Sequence, residues 1–134
     1  MRYYLDTNIC IRILNTSSQS VINKFEGIDL DDIMIPSVVA AELIYGAYKS
    51  AKRDRNLMRC REFLSQFRIA VPGAEAIEAY GTIRTELEGR GTPIGSNDYF
   101  IAALVKANGG VLVTNNTREF SRVDGLALED WTEG

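Results

Sequence analysis

Histidine is missing from all 134 residues of the chain. Its absence removes the imidazole general base, the His metal ligand and the Ser-His and Cys-His nucleophile pairs. Cysteine is scarce: Cys10 and Cys60 form no CxxC pair and have no His to complete a zinc set, so both read as reduced residues in apolar faces. No apolar run approaches the ~20 residues needed to span a membrane. Met1 leads directly into RYYLD, which reads as a strand rather than a leader, so a cytoplasmic location is expected. The chemistry left open is that of carboxylates working with a divalent cation.

What is present suits one soluble domain spanning residues 1–134, with 46% apolar and 25% charged residues. A net charge of −3 argues against a general polyanion binder. The charge is nevertheless uneven, because Lys49, Lys52, Arg53, Arg55, Arg59 and Arg61 crowd a stretch whose only acid is Asp54. Such a stretch is ordinarily a solvated helix face. Its functional reading is a phosphate track, with Lys49, Lys52, Arg53 and Arg55 as its RNA-binding candidates and Arg84, Arg90, Arg118 and Arg122 as further ones. One bound dication brings the net charge from −3 to −1, so the metal-free charge understates affinity for phosphates.

Short apolar segments alternate with helical periodicities. Strands are expected at Arg2–Leu5, Ile33–Ile35, Arg68–Val71, Val111–Val113 and, at an edge, Leu126–Leu128. Helices are expected after Asp6, around Val21–Phe25, from a Ser37 cap to about Ser50, from about Arg53 to Phe67, through Ile77, Tyr80, Ile83 and Leu87 to near Gly89, and from Ser96 or Asn97 onward. This alternation specifies an α/β fold, a three-layer sandwich around a mostly parallel sheet of four or five strands. Ligands of such sheets collect beyond the carboxyl ends of the strands. Asp6, Asn115 and Asn116 fall at that edge.

Three acids stand where apolar segments begin, end or turn. Asp6 follows YYL, Glu42 is the only charge between Ile33 and Tyr48, and Asp98 opens the run YFIAALV. Each also has a structural reading: Asp6 as an N-cap, Asp98 as a first-turn acid on a helix dipole, Glu42 as the partner of a buried Arg. Clustered together they repel one another and have raised pKa values, a cost that a hard dication offsets. TNNTREF adds Thr114 to orient a carboxylate, Asn115 or Asn116 to bond a metal-held water, and Glu119 as a fourth acid; otherwise it is a polar turn.

LDTN, the AELxYG helix, IGxND followed by xxIAA, and LVTNNTREFxRV together resemble the PIN-domain ribonucleases, and among them the VapC-type toxins of bacterial type II toxin-antitoxin modules. The resemblance runs from Tyr4 to Trp131. It implies an α/β/α PIN-like fold and an endoribonuclease dependent on Mg²⁺, with Mn²⁺ as a substitute. It also implies a homodimer, inhibition by a cognate VapB-type antitoxin lying across the active site, and structured RNA as substrate, commonly the anticodon region of tRNA. Carried over by position, Asp6 and Asp98 are the principal metal ligands, Glu42 assists with metal or water, Glu119 matches an acid of some relatives, and Thr7, Asn8 and Thr114 match supporting polar positions. Asn116 stands where many relatives place an Asp, which puts a second metal site in question. A structure-specific DNA nuclease could use the same acids, and a degenerate site would leave a non-catalytic RNA- or protein-binding module.

Overall fold

The computed structural model describes residues 1–133. Five short strands, β1 (Tyr3–Leu5), β2 (Ile33–Pro36), β3 (Arg68–Ala70), β4 (Val111–Val113) and β5 (Leu128–Glu129), form one sheet in the order β3-β2-β1-β4-β5. Every neighbouring pair is parallel. Parallel strands require crossovers, here supplied by α1 (Thr7–Leu14) and α2 (Gln19–Glu26), α3 (Ser37–Lys49) and α4 (Arg53–Leu64), then α5 (Ala74–Gly89) and α6 (Ser96–Asn108). A short α7 (Thr117–Phe120) follows β4. The chain first runs outward from β1 to β3 and then jumps back across to β4. With right-handed crossovers, that reversal puts α1–α4 on one face and the α5–α6 hairpin on the other.

β2 and β4 are buried along their whole length, as a sheet covered on both faces requires. Leu5, Ile35 and Val113 from the strands share one core with Ile9 and Val39 from α1 and α3 and with Ile101 and Leu104 from α6. Cys10 and Cys60 are buried free thiols in this core.

Several boundaries differ from the sequence reading. Ser37 is the first residue of α3 rather than its cap, since Pro36 occupies the cap position and offers no side-chain bond. α4 stops at Leu64, where Ser65 turns its hydroxyl back onto the Glu62 carbonyl; Phe67 packs from the following turn, edge-on to Phe63. The last strand is Leu128–Glu129 instead of Leu126–Leu128, because Ala127 and Glu129 supply the carbonyls that β4 and Thr114 use. Ile77 carries the expected helical spacing yet is 61% exposed. Among the described residues no helix is long and apolar enough to cross a membrane.

Candidate metal centre

The sheet order itself builds the site. The order in which the chain lays down these parallel strands reverses between β1 and β4, which opens a crevice at their carboxyl ends. Leu5 is in register with Val113, and the Asp6 N–H donates to the Val113 carbonyl at 2.9 Å, so the next residues, Asp6 and Thr114, emerge side by side. Asp6 caps α1 in an extended conformation, with Oδ1 accepting from the Thr7 N–H at 2.8 Å. Its other oxygen accepts from the fully buried Thr114 hydroxyl at 2.7 Å. The capping and functional readings of Asp6 are therefore compatible: each oxygen spends one lone pair on the protein and keeps another.

Glu42 reaches the same crevice from α3. Oε2 accepts from the Thr7 hydroxyl at 2.6 Å and Oε1 from the Asn97 amide at 3.0 Å. The buried-Arg reading of Glu42 is corrected, because among the described residues none of Asp6, Glu42, Asp98 and Glu119 forms an ion pair. Asp98 lies in the first turn of α6 and accepts no hydrogen bond among the described residues, leaving both oxygens to the cleft. Asp6, Thr7, Asn8, Glu42, Asp98, Asn115 and Asn116 line that cleft, about 450 Å³ in volume. Asn8 donates to Asn115 at 3.4 Å across its mouth. Glu119 does not line the cleft; its carboxylate accepts from Asn116 at 3.1 Å, while Asn116 N–H donates to Thr114.

Burial pushes Asp98 up to about 6, with the negative charges of Asp6, Glu119 and Glu42 adding to the shift. Asp6 is raised as well, again chiefly by burial; its bonds from Thr114 and Thr7 oppose the rise and the Glu42 charge adds to it. The charge crowding expected of clustered acids thus ranks below desolvation at both.

The donor set is oxygen throughout, which suits a hard cation such as Mg²⁺ or Mn²⁺. Among the described residues no group of three or more Asp, Glu, Cys or His side chains is arranged to hold a metal ion. An open set fits Mg²⁺ better than a closed cage would, since that ion commonly takes one or two carboxylates and retains water in its other positions. Asp6 and Asp98 are the residues that could hold it.

The basic candidates lie elsewhere. Lys52, Arg53 and Arg55 line a shallow surface cleft at the start of α4, with Lys49 at the end of α3. Lys49 lies 5.8 Å from the Tyr45 ring centroid and Arg53 5.9 Å from that of Tyr48. Arg59 leaves the track altogether, donating to the Leu14 carbonyl at 2.9 Å where α1 ends. Arg84 and Arg90 pair with Glu88 and Glu86, and Arg122 bonds the Pro93 carbonyl, so these three are committed to local structure. Asn97 is the site residue that the sequence reading missed as a side chain. The one available signal was its position, a polar residue beside Asp98 in the first turn of α6.

The profile of the PIN domain matches residues 3–126. The chain is 43% identical to "Ribonuclease VapC2" of Rickettsia felis over 132 residues, 98% of each chain. It is 42% identical to "tRNA(fMet)-specific endonuclease VapC" of Shigella flexneri, covering 98% of this chain and 99% of that one. In structure it is similar to DNA-bound VapBC from Salmonella typhimurium, with a TM-score of 0.91, 37% identity and 98% of each chain covered. VapBC2 from Rickettsia felis, bound to a promoter fragment, gives a TM-score of 0.90 at 42% identity over 98% of this chain and 99% of that one.

Proposed function

Because the chain belongs to the PIN domain family, we propose that it is the ribonuclease toxin of a VapBC-type module, a single domain acting in the cytoplasm as a homodimer and held inactive by a VapB-type antitoxin. The observation that carries this reading is the shared cleft of Asp6, Glu42 and Asp98, three acids from distant parts of the chain with no cation among the described residues to neutralise them. The substrate is structured RNA, with tRNA favoured by the names of relatives at 42% and 37% identity, and the anticodon region is its cleaved part.

Asp6 and Asp98 would hold Mg²⁺ or Mn²⁺, which would supply Lewis-acid activation of water and charge neutralisation at the phosphodiester. The chain's own residues prepare that event. Thr7 N–H and Thr114 hydroxyl fix the direction of the Asp6 carboxylate, and partial burial raises the Asp98 carboxyl. Glu42 assists at the cleft wall, and Glu119 acts from behind Asn116, adding negative charge near Asp98. Asn8, Asn115 and Asn116 border the opening, placing amides where a phosphate and its waters enter. Lys49, Lys52, Arg53 and Arg55 attract the backbone without reading its sequence. Attack by water leaves a 5′-phosphate and a 3′-hydroxyl.

The test is cleavage of a tRNA pool and a DNA oligonucleotide of matched sequence in Mg²⁺, with 5′ ends mapped. Wild-type protein is expected to cut RNA in the anticodon loop, and Asp6→Asn and Asp98→Asn to lose cleavage by about 10²-fold or more while staying folded. Preferential DNA cutting, or full activity in both variants, defeats the reading.

A further inference from the structure

Glu42 was expected to hold metal or activate water; each of its two oxygens also accepts one hydrogen bond, from residues on two different helices. Thr7, the first residue of α1, donates to Oε2 at 2.6 Å, and Asn97, the second residue of α6, donates to Oε1 at 3.0 Å. The donors lie 35 residues before and 55 residues after Glu42. The carboxylate of α3 thus ties together the two helix starts that carry Asp6 and Asp98. The Asn97 amide orientation is unambiguous, because a carboxylate accepts only from its NH₂ group.

Asp98 needs such a tie. Its helix begins at Gly95, which contributes no capping side chain, and its own carboxylate is held by no hydrogen bond among the described residues. Asp6, by contrast, is gripped at both oxygens. The position of Asp98 therefore depends on where the first turn of α6 sits, and Asn97 is the adjacent residue on that turn.

We propose that Asn97 is a positioning residue that acts through Glu42: with Thr7, it fixes the Glu42 carboxylate as a brace between α1, α3 and α6 and so sets the separation of Asp6 and Asp98. Asn97 is exposed, so its bond contributes little to global stability; its effect is on orientation. Outer-shell partners of this kind commonly tune metal affinity or activity by 10–100-fold. The inference rests on the metal-nuclease reading above.

The experiment titrates Mn²⁺ into the full chain by electron paramagnetic resonance without RNA, alongside thermal melts and steady-state cleavage. Asn97→Ala is expected to weaken Mn²⁺ binding about tenfold and lower kcat with little change in KM, at an unchanged thermal midpoint. Thr7→Val should reproduce that loss, and Thr7→Ser should recover most of it. In the Glu42→Ala background, Asn97→Ala should add nothing, since Asn97 acts through the Glu42 carboxylate. Wild-type Mn²⁺ affinity in Asn97→Ala, or independent multiplicative losses in the double variant, overturns the brace while leaving the metal centre intact. Failure of the wild-type chain to bind Mn²⁺ overturns both.

Discussion

At the scale of single residues, Asp98 carries the most consequential electrostatics. Its carboxyl is raised from 3.8 to about 6, so between those values the folded protein holds a proton that the unfolded chain has released. The sign follows from linkage: stability associated with this proton is fully present below about pH 4 and is lost as pH rises through about 6. In EDTA, the thermal midpoint of wild-type protein should therefore fall across that window more steeply than that of Asp98→Asn. At pH 7, the Asn variant should be the more stable metal-free form. Equal slopes in the two melts would show that Asp98 is not the group responsible. Asp6 shares the upward direction, but the Thr114 and Thr7 bonds work against it, because they favour the charged form.

At the scale of elements, the site depends on the alignment of β1 with β4, and Gly110 secures the entry to β4. Its φ of +134° is a backbone conformation that L side chains rarely adopt. A Cβ there would lie 2.7 Å from the Arg2 carbonyl oxygen and 2.9 Å from the Tyr4 ring. Neither can move easily, since Arg2 accepts from the Val111 N–H and Tyr4 is fully buried. Gly110→Ala should thus cost more than about 1 kcal/mol in denaturant unfolding. A loss below a few tenths would mean that β4 can shift without penalty. The far end of the sheet is closed by Trp131, which packs 5.8 Å from Tyr3 and offers its carbonyl to Ser20 on α2.

For the whole molecule, charge is divided rather than averaged. An acidic cleft sits at the carboxyl end of the sheet, and a basic surface lies at the α3–α4 corner, within a chain of net charge −3. If RNA tracks that corner, Lys52→Ala and Arg55→Ala should raise KM with kcat unchanged and reduce the salt slope of RNA binding by roughly 0.7–0.9 per contact removed. An unaltered salt dependence would reassign the surface to solvent. Arg59, despite its place in the same run, belongs to a different class: its guanidinium caps the end of α1. Replacing it should affect stability before it affects RNA affinity.

Local pattern was enough for much of this protein. Apolar triplets followed by helical periodicity dictate a parallel α/β sheet, because neither segment can bury its apolar face alone. The absence of histidine restricts the chemistry to oxygen donors, and a lone acid within an apolar helix, Glu42, has to meet a polar partner. The partners themselves were beyond reach of local pattern. Thr7 and Asn97 meet Glu42 only because the strand order brings three helix starts to one edge, and strand order depends on contacts between distant segments that composition does not encode. The same holds for exposure: Ile77 has the spacing of a core residue but is 61% exposed, since a helix buries only the stripe that a neighbouring layer covers. Sequence alone determined which atoms were available for chemistry; tertiary structure decided which of them face one another, because their separation along the chain is bridged only by the order of the strands.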